Sequence, residues 1–376
     1  MWGESLTLPL YAIVSTDIRR DLVRPVRHFT KLRIIHLYRR ASFGDLAADE
    51  LDNSLVAYGS PSELLRSLWR MRPDVVQGVE PFAVRLLPYL YSVWAASLLL
   101  RAPLVVVALE NRPLAEKHGR LVASMLQAAL RPVFDRADLL IVLNEGARRN
   151  VLSVGSYQEK VQRVMYGTWG VDLAEFAPER GAQRLSPGRE PVVLFVGRLH
   201  REKGVFELLD AFGLIRARFP DARLLLVGDG PARAEMENVI ASRGWTSHVT
   251  LMGVVLNRDL PRIMRTADVL VAPSLTTRKW EEQVGMSSIQ AMACGVPVVS
   301  TRSGAIPEYV PDGVAGLLVP ERDSGALAEA VVRILSDQGL RLRLGRAARD
   351  YAIEHYDERA NVQRVEQVIL ERCLGK

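Results

Sequence analysis

Short runs of β-branched residues and leucine, apolar on both faces, alternate with longer stretches of helical period along most of this chain. That pattern leaves few folds open. A strand that is apolar on both sides must be covered on both sides, and strands separated by helices pair in parallel, so the chain reads as α/β with parallel sheets. In the first half the expected strands are LYAIV (10–14), RIIHLY (33–38), VVQGV (75–79), LVVVAL (104–109) and LLIVL (139–143), with PSELLRSLWRM and EKHGRLVASMLQAALRPVFDRA among the helical segments. Residues 177–190, APERGAQRLSPGRE, interrupt the pattern with Pro, Gly, Arg and Glu and no period, as a linker does. The alternation then restarts with PVVLFVG, RLLLVGDG, VTLMGVV, DVLVAPS, VPVVST and GLLVP. A chain of 376 residues is also too long for one ordinary core. The expected organisation is a doubly wound domain over 1–177, a linker over 178–190, a second such domain over 191–356, and a C-terminal helix within 357–376 packing back onto the first. The crevices at the carboxyl ends of the two sheets would then face a central cleft.

Composition narrows the function classes. Hydrophobic residues at 48% and charged residues at 24% are a globular balance, which excludes a disordered or fibrous chain. Cys294 and Cys373 have neither metal-ligand spacing nor a disulfide partner pattern, so a reducing, cytoplasmic setting is expected. The start, MWGESLTLPLY, lacks the basic and apolar blocks of a signal peptide. The stretch LLPYLYSVWAASLLL between Arg85 and Arg101 is shorter than the roughly 20 residues that span a bilayer and reads as a buried helix. A net charge of +6 favours acidic partners. Arg19, Arg20, Arg24, Arg27, Lys31, Arg33, Arg39 and Arg40 cluster, either as a solvated surface or as a face for an anionic membrane. Nucleic acid is not an expected partner, because no aromatic-rich or helix-turn-helix pattern accompanies the charge.

The residues with chemistry to offer lie mostly in the second half. PVVLFVG ends in Gly197-Arg198-Leu199-His200-Arg201-Glu202-Lys203-Gly204, followed at once by a helical segment. Glycine, two cations and a helix N-terminus at a strand end suit a diphosphate, although an ordinary exposed turn would read the same. Val227-Gly228-Asp229-Gly230-Pro231 follows the next strand, and there a tight turn is explanation enough. The third element is LTTRKWEEQVGMSSIQAMACGVPVVSTRSGAIPEYV. Here Gly285, Met286 and Ser287 open a helix whose amides can point at phosphate, and Glu282 just upstream can accept from sugar hydroxyls. Glu281 beside it reads as solvated. Ser303-Gly304-Ala305-Ile306-Pro307-Glu308 adds another turn at the same edge, and the backbone around Gly253-Val254-Val255 is where a nucleotide base would lie.

Three ordered motifs carry a resemblance. GRLHREKG, VGDGP and EQVGMSSIQAMACGVPVV match the G-R-L-x-x-x-K-G turn, the V-G-x-G-P turn and the E-x(7)-E stretch leading into E-A-M-A-C-G-x-P-V-V. The second half, without a gap from about 190 to 356, resembles the glycogen-synthase-like retaining glycosyltransferases of family 4. The resemblance implies the GT-B architecture of two Rossmann-like domains and a nucleotide diphosphate sugar as donor, carrying UDP or GDP. It also implies that Arg198 and Lys203 neutralise the diphosphate and that Glu282 contacts the transferred sugar. Gly197, Gly228, Gly230, Gly253, Val254, Gly285, Met286 and Ser287 would then line the donor. Position 290, where the family has its second glutamate on the nucleotide ribose, is Gln290, which lacks the full charge.

In the first half, ADLLIVLNEGARRNVLSVG and GTWGVDLAEFAP resemble the family's segment before the linker, with Asn144, Gly170, Val171, Asp172 and Phe176 at matching positions. Two departures stand out. Ser15-Thr16-Asp17-Ile18-Arg19-Arg20 replaces a glycine-rich loop, and Glu110-Asn111-Arg112 occupies the region of a histidine beside the reacting sugar. His118 lies too far along to replace it and reads as a helix-surface residue. The expected activity is retaining, metal-independent transfer of a hexose to a hydroxyl of a glycan, glycolipid or lipid-linked acceptor in cell-surface polysaccharide synthesis. Arg198, Lys203 and helix amides would stabilise the leaving group, with Glu282 and Glu110 at the sugar. No metal or other cofactor is expected, and the enzyme would be cytoplasmic, peripheral at the inner membrane face. A nucleotide-sugar hydrolase or epimerase and a non-catalytic partner subunit are the alternatives.

Overall fold

The computed structural model describes residues 8–41, 54–167, 169–178 and 190–376, with the backbone alone at Asp21 and Ala41. Most of the expected linker and the first seven residues lie outside the described residues. The chain divides into two units, one of residues 1–169 with 358–376 and one of 170–357.

The first unit holds β1 (Leu10–Val14), β2 (Asp17–Ile18), β3 (Arg33–Tyr38), β4 (Arg40–Ala41), β5 (Leu55–Ala57), β6 (Val75–Gln77), β7 (Leu104–Ala108), β8 (Leu139–Val142) and β9 (Val161–Arg163). Its helices are α1 (Arg20–Val23), α2 (Pro61–Met71), α3 (Leu87–Leu100), α4 (Leu114–His118), α5 (Arg120–Arg136) and α6 (Glu145–Val154). Seven strands form one parallel sheet in the order β5-β3-β1-β6-β7-β8-β9, and β2 pairs with β4 separately. The wholly apolar runs became the central strands β1, β7 and β8, buried along their length. The short edge strands β5 and β9, LVA and VQR, escape sequence reading because half-exposed three-residue runs carry no period. α2 starts on a Ser60 side chain that accepts from the Glu63 amide, while Glu63 accepts from the Gly59 amide. The apolar stretch before Arg101 is indeed a helix, α3, but only half buried: Leu90 and Val93 face the core, whereas Leu98 and Leu99 are exposed. Among the described residues no helix is long and apolar enough to cross a membrane.

The second unit holds β10 (Val192–Val196), β11 (Arg223–Val227), β12 (Val249–Gly253), β13 (Val269–Ala272), β14 (Val298–Thr301) and β15 (Gly316–Val319). They pair in parallel in the order β12-β11-β10-β13-β14-β15. Helices α7 (Val205–Arg218), α8 (Arg233–Ser242), α9 (Leu260–Met264), α10 (Met286–Ala293), α11 (Ile306–Tyr309), α12 (Ser324–Ser336) and α13 (Gln338–His355) connect and cover them. The strand order reverses between β1 and β6 in the first unit and between β10 and β13 in the second. In open sheets of this kind ligands bind outside the carboxyl ends of strands at such a reversal.

The chain then returns to the first unit as α14 (Glu358–Leu374). Glu366, almost wholly buried, accepts from the amides of Thr30 at 2.9 Å, Lys31 at 2.6 Å and Leu32 at 2.9 Å, and from the Thr30 hydroxyl at 3.2 Å. Asn361 Nδ2 donates to the Trp169 carbonyl at 3.0 Å, and Glu358 pairs with Arg27 and His28.

Candidate functional site

At the carboxyl end of β10 three glycine turns close on one another. The Gly197 amide donates to the Val227 carbonyl, Leu199 N to Asp229 O, and Gly228 N to Gly253 O at 2.8 Å. Gly228 has φ +127°, and a Cβ there would strike the Gly197 carbonyl, while one at Gly230 would strike the Leu199 backbone. Glycine is therefore required by close backbone approach as well as by the turn. Gly197, Gly228, Gly230 and Gly253 thus meet at one edge, with Val254 exposed beside them.

The next contact joins the two strands of the reversal. Gly204 sits in the left-handed region, and a Cβ on it would meet the Pro273 carbonyl just after β13. Leu275 N donates to Glu202 O at 2.8 Å. These bonds carry Lys203 to the loop between β13 and α10, where its ammonium donates to Glu282 Oε2 at 2.7 Å. Ser274 Oγ donates to the same oxygen at 2.7 Å. Arg198, exposed, pairs with Glu202 at 2.6 Å. Both cations expected at a diphosphate therefore hold a carboxylate in this structure.

Gly285, at φ +77°, lets the chain turn into α10. As first helical residues, Met286 and Ser287 have amides with no intrahelical acceptor, at the positive end of the helix dipole. Gln290 lies one turn along from Met286 and is 6% exposed. The Ala305 amide donates to Glu282 O at 2.9 Å, which ties the turn before α11 to the same loop. Glu281, read from the sequence as solvated, is instead buried at 9% exposure and has partners of its own. Its neighbour Glu282 faces Lys203.

The first unit carries a second set of polar groups at its strand ends. Glu110 follows β7, accepts from the Arg112 amide at 3.0 Å and forms an ion pair with Lys117. Glu80, which the sequence reading passed over, follows β6 and accepts from Phe82 N at 3.1 Å and Leu109 N at 2.6 Å. Its position at the end of a strand beside β1 was the available signal. Burial, with a further push from the Glu110 charge, raises the Glu80 carboxyl to about 7. His118 closes α4 half-buried, with its Nε2 buried and unbonded, so it is not the surface residue expected; burial lowers its pKa. His36 in β3 contacts Ser15 Oγ at 2.8 Å, and burial lowers it to about 4. Among the described residues no three His, Cys, Asp or Glu side chains are grouped to hold a metal ion.

Glu80 and His36 pull stability in opposite directions with pH. From its ordinary 4.5 up to about 7, folded Glu80 keeps a proton that the unfolded chain has released, so its contribution falls as pH rises. Between about 4 and 6.5 folded His36 lacks a proton that the unfolded chain binds, so its contribution rises with pH. The His36 contribution approaches ~3 kcal/mol at the acid limit. Urea unfolding at pH 5 and pH 7 should show Glu80→Gln gaining and His36→Gln losing pH-dependent stabilisation relative to the parent. Equal slopes in all three proteins would remove the electrostatic argument.

Residues 178–351 match the family described as Glycosyl transferases group 1. The GDP-mannose-dependent alpha-(1-6)-phosphatidylinositol monomannoside mannosyltransferase of Mycolicibacterium smegmatis is 32% identical over 292 residues, covering 74% of this chain and 76% of that protein. This chain belongs to the group 1 glycosyltransferases. A second relative, the D-inositol 3-phosphate glycosyltransferase of a Mycobacterium species (strain KMS), is 35% identical over 69% of this chain and 58% of its own length. The fold is that of HepE from Anabaena, solved with UDP, at a TM-score of 0.76 and 19% identity over 96% of this chain and 99% of that one. The glycosyltransferase is accordingly α/β with the GT-B fold, and the site at β10 and β13 lies within the matched family region.

Proposed function

We propose that this glycosyltransferase is a retaining, metal-independent member of family 4 that moves a hexose from a UDP- or GDP-sugar to a hydroxyl of a glycan, glycolipid or lipid-linked acceptor in cell-surface polysaccharide synthesis. The observation behind this reading is that Lys203 and the start of α10 meet at Glu282 at the strand-order reversal, with Arg198 in the same turn as Lys203. Two cations and helix amides form a fixed positive field where the leaving diphosphate gathers charge, and that field is the basis for proposing metal independence. As the bond from the sugar to the diphosphate breaks and the acceptor oxygen bonds to the same face, a leaving-phosphate oxygen takes the acceptor proton. Glu282 holds sugar hydroxyls. GDP-mannose is the first donor to try, given the name of the Mycolicibacterium relative.

A peripheral position at the inner membrane face belongs to the same proposal. Part of the basic run is occupied within the first unit: Arg27 pairs with Glu358, Arg40 with Asp17, and Arg39 lies over Tyr89. Leu121, Val122 and Met125 are exposed near the start of α5 beside Arg120, which gives the unit an apolar and basic surface for anionic lipid.

Thermal unfolding with UDP, GDP, ADP and their sugar conjugates tests the donor reading. A true donor nucleotide at a hundred times its Kd raises stability by about 2.7 kcal/mol, and Arg198→Ala reduces the shift. Binding without turnover, or no shift with any nucleotide, would point to the non-catalytic subunit, and donor breakdown without transfer to the hydrolase. Co-sedimentation with anionic vesicles at low salt checks the membrane part, which fails if the protein stays in the supernatant.

A further inference from the structure

Trp280 belongs to none of the sequence motifs, yet its ring lies against Lys203 of the proposed donor site, on which this inference rests. It lies between β13 and α10, two residues before Glu282. The Thr277 amide donates to the Trp280 carbonyl at 2.8 Å, and the Trp280 amide to Thr277 Oγ1 at 3.1 Å, closing a tight turn that fixes where the indole points. The root of that turn is braced. Thr276 donates to Glu321 through both its amide and its hydroxyl at 2.6 Å, and Arg322 Nη2 donates to the Thr276 carbonyl at 2.6 Å.

The Lys203 ammonium lies 4.6 Å from the centre of the Trp280 ring while it donates to Glu282. The two partners act differently on the lysine. Glu282 neutralises it and is itself occupied, so the pair suits neither a phosphate nor a sugar hydroxyl fully. The ring attracts the cation through its quadrupole but leaves it charged. An incoming diphosphate competes with Glu282 for Lys203, and the ring keeps the ammonium in place while that exchange occurs.

We propose that Trp280 is a positioning residue for donor binding, the seat that holds Lys203 when a diphosphate displaces it from Glu282 and so frees Glu282 for the sugar. The diphosphate thereby prepares the sugar site, and the Lys203–Glu282 pair opposes binding of the nucleotide.

Calorimetric titration of the full chain with GDP and with UDP, using the parent, Glu282→Gln, Trp280→Leu and Trp280→Phe, separates these roles. Glu282→Gln should bind the preferred diphosphate about three- to ten-fold more tightly, because its competitor for Lys203 has lost its charge. Trp280→Leu should bind it about three- to ten-fold more weakly, with Trp280→Phe restoring most of the loss. Indole emission should change on saturation in the parent and change less in Trp280→Phe. Unfolding midpoints without nucleotide identify any variant that fails to fold, and the phenylalanine variant then decides through its emission. Unchanged or weaker binding by Glu282→Gln, or parent-like affinity in Trp280→Leu, overturns the inference alone. A parent that binds neither diphosphate overturns the donor-site reading with it.

Discussion

Replacing Lys203 or Arg198 with alanine is expected to lower kcat/KM by about 10²- to 10³-fold while leaving the fold in place. In the proposed transfer, negative charge grows on the leaving diphosphate as the glycosidic bond breaks. A cation aimed at that charge in a partly buried site contributes more in the transition state than to ground-state binding, so kcat falls more than KM rises. Arg198 is exposed and its link to Glu202 joins residues four apart, so its loss should change stability by less than about 0.5 kcal/mol. Lys203 is more enclosed, between Trp280 and Glu282, and Lys203→Ala should be the more damaging for turnover. Lys203→Arg should not rescue it, because a planar guanidinium does not fill the place of a compact ammonium between ring and carboxylate. Steady-state kinetics on each variant, beside its unfolding midpoint, reads both effects. Turnover within about three-fold of the parent would remove that residue from the proposed role.

The second large effect concerns stability and lies far from this chemistry in the sequence. Glu366→Ala should destabilise the first unit by about 1–3 kcal/mol, since the buried Leu32 amide is orphaned and an orphaned buried donor costs about that much. Three consecutive amides, of Thr30, Lys31 and Leu32, converge on this single carboxylate just before β3. An alanine takes that acceptor from all three beneath the buried face of α14. Glu366→Gln should lose less: its oxygen can accept, but its amide nitrogen meets donors where an acceptor is needed. Urea unfolding gives the overall cost, and hydrogen exchange at residues 30–32 localises it, which matters because two units need not unfold together. A loss below about 1 kcal/mol, or unchanged exchange at those amides, would show that the clamp is dispensable.

The glycine-turn motifs of the second unit were legible in the sequence because they depend on local rules. A glycine between a strand and a helix announces a turn, and a helix opened by glycine announces free amides, wherever the rest of the chain goes. Hence Gly197, Gly228, Gly230, Gly285 and the start of α10 are found where their sequence context put them. Glu281 was misread for the same reason, since adjacency to Glu282 says nothing about which of two neighbouring carboxylates turns inward. Glu80 and Trp280 had no motif to mark them. Each gains its meaning from a residue on another strand's loop, Leu109 in one case and Lys203 in the other.

The sequence by itself determined two parallel α/β sheets and the order of their central strands' apolar runs, because burial on both faces leaves an unbroken apolar run in each central strand. It also determined the residue types of the glycine turns at the proposed donor site. Only the tertiary structure decided what those residues do to one another. Lys203 and Glu282 are 79 positions apart, and they meet because β10 and β13 are neighbours at the reversal of strand order. Glu366 reaches Thr30 across 336 positions, because the last helix returns to the first unit. Charge pairing acts over a few ångströms and is indifferent to sequence distance, so such partners become visible only once the chain has folded.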